Sequence, residues 1–282
     1  MTLRPICEPV ELPLGASVIA ERVASAVDAP ASGQFLHFHD VSELVLFGRV
    51  EGAFVADGRR HPLSDGAIAF TPSMHHHDFA LAPGRKDWAL IQIDPYIVER
   101  LAHGNALSRL NRPFCAMPDP ASRHRMDVLG EWLIEVAGRD PFDPMIGRIV
   151  ELLLCQIATA PEVAGVEAAG DATQVERLLP AVEQLRRDPS SAISLEAAAG
   201  SCSLSPAYFS RRFKRVFGMN FTDYARIYRL HLAARRIATS GASLSEIAYG
   251  LGFSSPSHFS ARFHERFGMT PRQYRRAAQA RT

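Results

Sequence analysis

The spacing of hydrophobic positions changes along the chain and divides it into regions. Between residues 10 and 95 short apolar runs alternate with turn residues. Residues 34–39, 43–47, 52–56 and 67–71 are predicted strands. Asp57-Gly58 is a strong hairpin signal, and Asp65-Gly66 and Pro83-Gly84 mark two more turns. Short strands at this spacing predict an antiparallel β-barrel or jelly roll. From 96 to 160 the period becomes helical. Residues 145–160 carry Ile146, Ile149, Val150, Leu153, Leu154 and Ile157 on one wide stripe. That stripe suits packing on the barrel or against a second copy of the chain, and core packing alone explains it equally well. Residues 161–173 (PEVAGVEAAGDAT) are small and polar, which predicts a linker.

The remaining residues, 174–282, are helical and contain a repeat. Residues 208–224 read YFSRRFKRVFGMNFTDY and residues 258–274 read HFSARFHERFGMTPRQY, identical at eight of seventeen positions. Before each copy lies a short helix opened by Ser194 or Ser243, both suited to N-cap it. A turn follows, around Ser203 in one copy and Gly252 in the other. Ser205-Pro206 and Ser255-Pro256 then open new helices, with proline where its missing N–H costs nothing. Phe209, Phe213 and Phe217 recur at helical spacing, as do Phe259, Phe263 and Phe267, and should face the core. Gly218 and Gly268 should close these helices in the left-handed conformation.

Each copy therefore reads as a helix-turn-helix, with its second helix, near 205–217 or 255–267, able to lie in a major groove. Ala207, Ser210, Arg211, Lys214 and Arg215 are the expected DNA-facing residues of the first reading helix, and Ser257, His258, Ala261 and Arg262 those of the second. Arg262 suits an edge-of-core structural role as well. Residues 221–240 form a predicted connecting helix about 30 Å long, close to one turn of DNA at about 34 Å. Its Arg226, Arg229, Arg235 and Arg236 are candidates for phosphate contacts. A helical bundle with a solvated charged face is the plain alternative, but duplication of a bundle does not require a basic surface.

Charge separates the two halves. Residues 173–282 hold 17 Lys and Arg against 7 Asp and Glu, whereas residues 1–172 hold 14 against 23. A net +10 in the helical half places the phosphate-binding surface there. Cys7, Cys115, Cys155 and Cys202 are scattered without a CxxC pair, so no disulfide framework or cysteine zinc site is expected. The most apolar stretch, 149–157, is short and contains Glu151. A soluble cytoplasmic protein without a membrane segment is expected.

The barrel region holds potential ligands. His37, His39 and Glu43 form HxHxxxE, and His77 follows on a later predicted strand. Two residues apart on a strand, His37 and His39 share a face. Three imidazoles and a carboxylate suit Zn, Ni, Fe or Mn in a barrel mouth. Contact with an organic effector, or a purely structural hydrogen-bonded role, remain open for the same residues. His75 and His76 read as loop residues. Phe35, Phe70, Phe79 and Trp88 suit the lining of an effector pocket or ordinary core.

On these motifs, residues 174–282 resemble the DNA-binding domain of AraC/XylS-type transcription regulators. The likeness is strongest from Ser243-Leu-Ser-Glu-Ile-Ala248 through Gly252-Phe253, Phe267-Gly-Met-Thr-Pro271 and Tyr274. Two departures are Ser203, where a glycine is common, and Ala261, where the first copy has Arg211. The first unit is therefore expected to supply the stronger base contact. The barrel region resembles the two cupin motifs, with all four usual ligand positions filled and Met74 where a glycine is usual. The resemblance implies a cupin-like effector-binding and dimerisation domain over 1–160, a linker over 161–173 and an AraC-type domain over 174–282. It also implies promoter or operator DNA, a small-molecule or metal effector, a second copy of the chain and RNA polymerase as partners, with activation the commoner outcome. An enzyme is not expected. A metal-responsive regulator and a metal-dependent cupin enzyme fused to a DNA-binding domain are the alternatives.

Overall fold

A computed structural model describes residues 6–7, 10, 12–13, 16–32, 37–39, 41–102, 105–167, 177–191 and 193–279. The chain divides into two compact units, residues 1–173 and 174–282. Phe35, Asp40, residues 34–36 of one predicted strand and residues 168–173 of the predicted linker lie outside the described residues. None of the described helices is long and apolar enough to cross a membrane.

The first unit contains strands β1 (Ile6–Cys7), β2 (Val18–Ala24), β3 (His37–Phe38), β4 (Ser42–Phe47), β5 (Gly52–Ala56), β6 (Arg59–Leu63), β7 (Ile68–Thr71), β8 (His77–Leu81), β9 (Asp87–Ile93), β10 (Phe114–Ala116) and β11 (Val166–Glu167). They build a six-stranded sheet, β1-β3-β8-β5-β6-β11, and a five-stranded sheet, β10-β7-β4-β9-β2. All described pairings between strands are antiparallel except β1 with β3. Asp57 and Gly58 both have positive φ (46° and 76°), the type I′ geometry that a two-residue hairpin between β5 and β6 needs.

The sheets pack face to face. Val45, Phe47, Ala69 and Cys115 of one meet Phe54, Ala56, Leu63 and Leu81 of the other. Helices α1 (Pro95–Ala102), α2 (Pro120–Arg139) and α3 (Met145–Thr159) accompany the sheets, with a 3-10 segment at Asn105–Asn111. The stripe of α3 buries Ile146, Ile149, Val150, Leu153, Leu154 and Ile157 with Leu44, Leu46 and Ile91. The five-stranded sheet is thus covered on both faces. This is why all six residues of β4 are buried and why its sequence does not alternate.

Residues 161–167, expected to begin a linker, instead run along the barrel. Arg112 grips Glu162 with two hydrogen bonds of 2.8 and 2.6 Å. The Val163 N–H donates to Cys115 at 2.9 Å, and Val166 and Glu167 pair with Arg60 and Arg59 of β6. His61 Nδ1 lies 2.9 Å from the Val163 carbonyl. Gly165 covers that ring so closely that a Cβ there would come within 2.7 Å of it.

The second unit is all α: α4 (Leu179–Arg187), α5 (Leu195–Ser201), α6 (Pro206–Phe217), α7 (Phe221–Thr239), α8 (Leu244–Tyr249), α9 (Pro256–Phe267) and α10 (Pro271–Gln279). Ser194 caps α5 through the Ala197 N–H, and Ser243 forms a reciprocal capping box with Glu246. Gly218 and Gly268 close α6 and α9 with φ of 71° and 69°.

The repeat is a repeated aromatic core. Tyr224 meets Phe213 edge-on at 5.6 Å in one copy, and Tyr274 meets Phe263 edge-on at 5.3 Å in the other. The second turn is one residue longer before its proline, and the two differ at one matched position. Ser203 and Gly252 occupy the same place, both at positive φ (53° and 76°), so a glycine conformation is imposed on a serine in the first copy.

Candidate DNA interface and histidine cluster

Burial of Phe209, Phe213, Val216 and Phe217 turns the opposite side of α6 to solvent. Ala207, Arg211, Lys214 and Arg215 are exposed there, and Ser210 is half-buried. In α9 the buried Phe259 and Phe263 leave Ser257, His258 and Ala261 exposed, and Arg262 half-buried. The outward residues expected from the sequence therefore lie on the outer sides of the two helices.

Two neighbours were not anticipated. Tyr208 is 41% exposed in the first turn of α6, and the guanidinium of Arg212 lies 5.6 Å from its ring centroid. Arg212 also donates to the Tyr208 hydroxyl. In α9 the equivalent Arg262 sits between His258 and Glu265 (3.5 and 2.7 Å). Spacings of three and four residues are the signal in the sequence for these contacts.

The arginines of α7 do not act as a set. Arg229 is turned inward, donating to the carbonyls of Pro189 and Ser191 at 2.7 Å each. Burial lowers its pKa. It fixes the loop before α5, so the phosphate role expected of it is corrected. Arg226 pairs with Asp223 at 2.7 Å, Arg236 is exposed, and the Arg235 side chain lies outside the described residues.

A family model described as a helix-turn-helix domain matches residues 198–277. A protein named as an AraC-like transcription regulator in Streptomyces lividans is 30% identical over 105 residues, covering 37% of this chain and 34% of its own length. The chain carries a helix-turn-helix domain. The chain thus spans about a third of that curated relative. Two solved structures resemble the helix-turn-helix unit. One is a regulator with an AraC-type DNA-binding domain from Chromobacterium violaceum, at 27% identity over 38% of this chain and 96% of that one, with a TM-score of 0.36. The other is the DNA-binding domain of AdpA in complex with a target DNA, at 28% identity over 37% and 95%, also with a TM-score of 0.36.

In the first unit, the barrel brings His37, His39, Glu43 and His77 together from β3, β4, β8 and the residue following β3. All four are buried. The ligand atoms of the three histidines lie within 4.8 Å of one another. Glu43 divides its two oxygens between His39 Nε2 and His77 Nε2, each at 3.1 Å. Gln92, which sequence reasoning missed, donates to the same carboxylate at 3.4 Å. His75 turns to Asp57 at 3.4 Å and His76 lies against the Phe38 ring, as loop residues outside the cluster.

Trp88 does not join the cluster. It shares the inner face of β9 with Gln92 but stands four positions away, roughly 13 Å along a strand, against Phe47. Phe79 packs on Phe47 and Phe54 inside the barrel, while Phe70 meets Phe114 in the core on the helical side.

Burial opposes the Glu43 charge, but hydrogen bonds and charge from His39 and His77 outweigh it and hold the carboxyl well below its usual range. Burial pushes the His77 imidazole down to about 4 against the pull of Glu43. A carboxylate only accepts, and a neutral imidazole has a single N–H. Yet His39 and His77 face four acceptor oxygens: those of Val41 and His75 through Nδ1, and both of Glu43 through Nε2. Two N–H groups cannot serve four acceptors. Gln92 supplies one donor to Glu43, and a further proton or a cation would serve the rest.

Proposed function

We propose that the chain is a sequence-specific transcription regulator. In this reading α6 and α9 enter successive major grooves, and an effector held in the barrel controls the grip. The repeat itself carries the proposal: an aromatic core built twice turns the outer side of each reading helix to solvent, in a domain that bears the chain's positive charge. The α7 helix of 19 residues spans roughly 28 Å at about 1.5 Å per residue, near one turn of the duplex. Val128, Trp132 and Leu152 keep apolar surface exposed on α2 and α3, which supports a homodimer through those helices. Activation through RNA polymerase rests on the resemblance alone.

A divalent metal is the effector that the cluster favours. His37, His39, His77 and Glu43 offer three nitrogens and a carboxylate, a donor set for Zn, Ni, Fe or Mn. A cation would also satisfy the acceptors that two neutral imidazoles leave over. The backbone carbonyls of Val41 and His75 would fix Nδ1 and aim Nε2 inward, the outer support that ligating histidines need. Bound metal would supply charge to tie β3, β4 and β8 together.

The test is selection from random duplexes with the full chain, in zinc and in chelator. Enriched sites should carry two elements about 10 base pairs apart, and affinity should fall steeply with salt. No enrichment in either condition would remove the regulator reading. Enrichment indifferent to zinc would remove only the metal, leaving an organic effector.

A further inference from the structure

At positions i, i+4 and i+7, each reading helix carries a stripe of side chains bordering its outermost face. In α6 the stripe is Tyr208, Arg212 and Arg215, beside Arg211. In α9 it is His258, Arg262 and Glu265, beside Ala261. A helix seated in a major groove has base edges under its outermost face and a phosphate strand along each border. The border stripe is where a backbone contact is made or refused.

We infer that Glu265 makes the second helix a deliberately weak DNA reader, and that the stripe Tyr208–Arg212–Arg215 anchors the domain to the phosphate backbone. This inference rests on the DNA-binding reading of the domain. Two observations carry it. Arg212 lies against the half-exposed Tyr208 ring, so its guanidinium is positioned without a carboxylate partner in the stripe. Arg215 beyond it is exposed. In α9, by contrast, Arg262 is drawn to Glu265 at 2.7 Å, and Glu265 is 66% exposed on its side chain.

The ion pair is not what weakens the second helix. An exposed pair at this spacing is weak, so Arg262 can leave for a phosphate. Glu265 cannot leave. Its charge then faces the phosphates with its partner removed, and like charges brought together oppose docking. The first unit therefore sets affinity, and the second adds discrimination at low cost to dissociation. Tyr208 is a positioning residue for Arg212.

The measurement is binding of the full chain to a mixed-sequence 30-base-pair duplex across a salt series, for the unmodified protein, Glu265→Gln, Glu265→Arg and Arg215→Glu. Circular dichroism checks that each surface variant is folded. Glu265→Gln should tighten binding about three- to tenfold near 0.1 M salt, and Glu265→Arg should tighten it further. The slope of log affinity against log salt should steepen by about 0.9 for Glu265→Arg. Arg215→Glu should weaken binding and flatten the slope by a similar amount. Glu265 variants that bind like the unmodified protein would overturn the inference while leaving the DNA-binding reading intact. An unmodified protein that fails to bind duplex DNA would overturn both.

Discussion

His39 Nε2 stands 3.1 Å from Glu43 Oε2 while the other nitrogen of the same ring stands 2.9 Å from the Val41 carbonyl. A single neutral imidazole cannot donate to both. His77 repeats the conflict with the other Glu43 oxygen and the His75 carbonyl. A further proton on the rings or a cation among the four buried side chains would resolve both conflicts.

Substituting Glu43 separates the proton from the cation. Glu43→Gln keeps the side-chain shape but removes the charge that His39 and His77 stabilise in the folded protein. Metal-free Glu43→Gln should therefore melt at a lower temperature than metal-free unmodified protein. With cobalt(II) present the gap should widen, because the variant also loses a charged ligand. Calorimetry and the cobalt absorption bands read both effects. A gap that cobalt leaves unchanged would mean that protons on the histidines, not a cation, satisfy Glu43.

Acid should weaken the barrel before it weakens the helical unit. Folding lowers the His77 pKa from an ordinary 6.5 to about 4. Between those values the unfolded chain holds a proton that the folded chain rejects, so stability is lost as pH falls from about 6.5 to about 4. The lowered Glu43 pKa acts in the same direction further down, its contribution being present above the ordinary carboxylate range and lost below it. Denaturant titrations of metal-free protein at pH 7, 6 and 5 should show the decline. His77→Gln should flatten the upper part of it, and an unchanged slope would contradict burial of neutral His77.

Ser203 and Gly252 give opposite mutational outcomes from one backbone conformation. Ser203 holds φ at 53° at a cost that glycine would avoid, so Ser203→Gly should stabilise the domain by roughly 0.5–1 kcal/mol. Gly252 has a second reason to be glycine. A Cβ there would lie 2.5 Å from the Ser190 carbonyl oxygen. Gly252→Ala should therefore cost more than the conformation alone, about 2 kcal/mol or above. Thermal melts of the two variants test the pair, and equal destabilisation by both would refute this account.

Much of the architecture was legible because its signals are local. Serine caps, proline starts and left-handed glycines mark helix ends, and the Phe-Phe-Tyr repeat marks the core of both helix-turn-helix units. The Asp57-Gly58 hairpin and the HxHxxxE–His77 set were equally visible, since strand period fixes which side chains share a face. What escaped the sequence depends on distant partners. Gln92 reaches Glu43 only because β9 lies beside β4. Trp88 has the composition of a pocket residue, but its register places it against Phe47. Residues 161–167 have the composition of a linker and are held on the barrel by Arg112, Cys115 and His61, which no local pattern announces.

Arg229 and Arg211 carry opposite predictions, the first as a structural donor and the second as the proposed base-reading residue. Arg229 donates to two backbone carbonyls of the 189–191 loop, and that loop meets the Gly252 turn at Ser190. Removing the guanidinium takes a charged donor from both carbonyls and leaves Ser191 only the Ile193 N–H, so Arg229→Met should destabilise the domain by about 1–3 kcal/mol. Its affinity for DNA, measured where the variant is folded, should keep the unmodified salt slope because no phosphate contact is lost. Arg211 is exposed at the outermost line of α6. Arg211→Ala should leave the melting temperature within about a degree, as surface substitutions do, and should cost about 1–3 kcal/mol on the selected site with relaxed preference at one base pair. Equal loss on matched and mismatched duplexes would reassign Arg211 to the phosphates. A flattened salt slope in Arg229→Met would return Arg229 to them, against the inward contacts that it makes here.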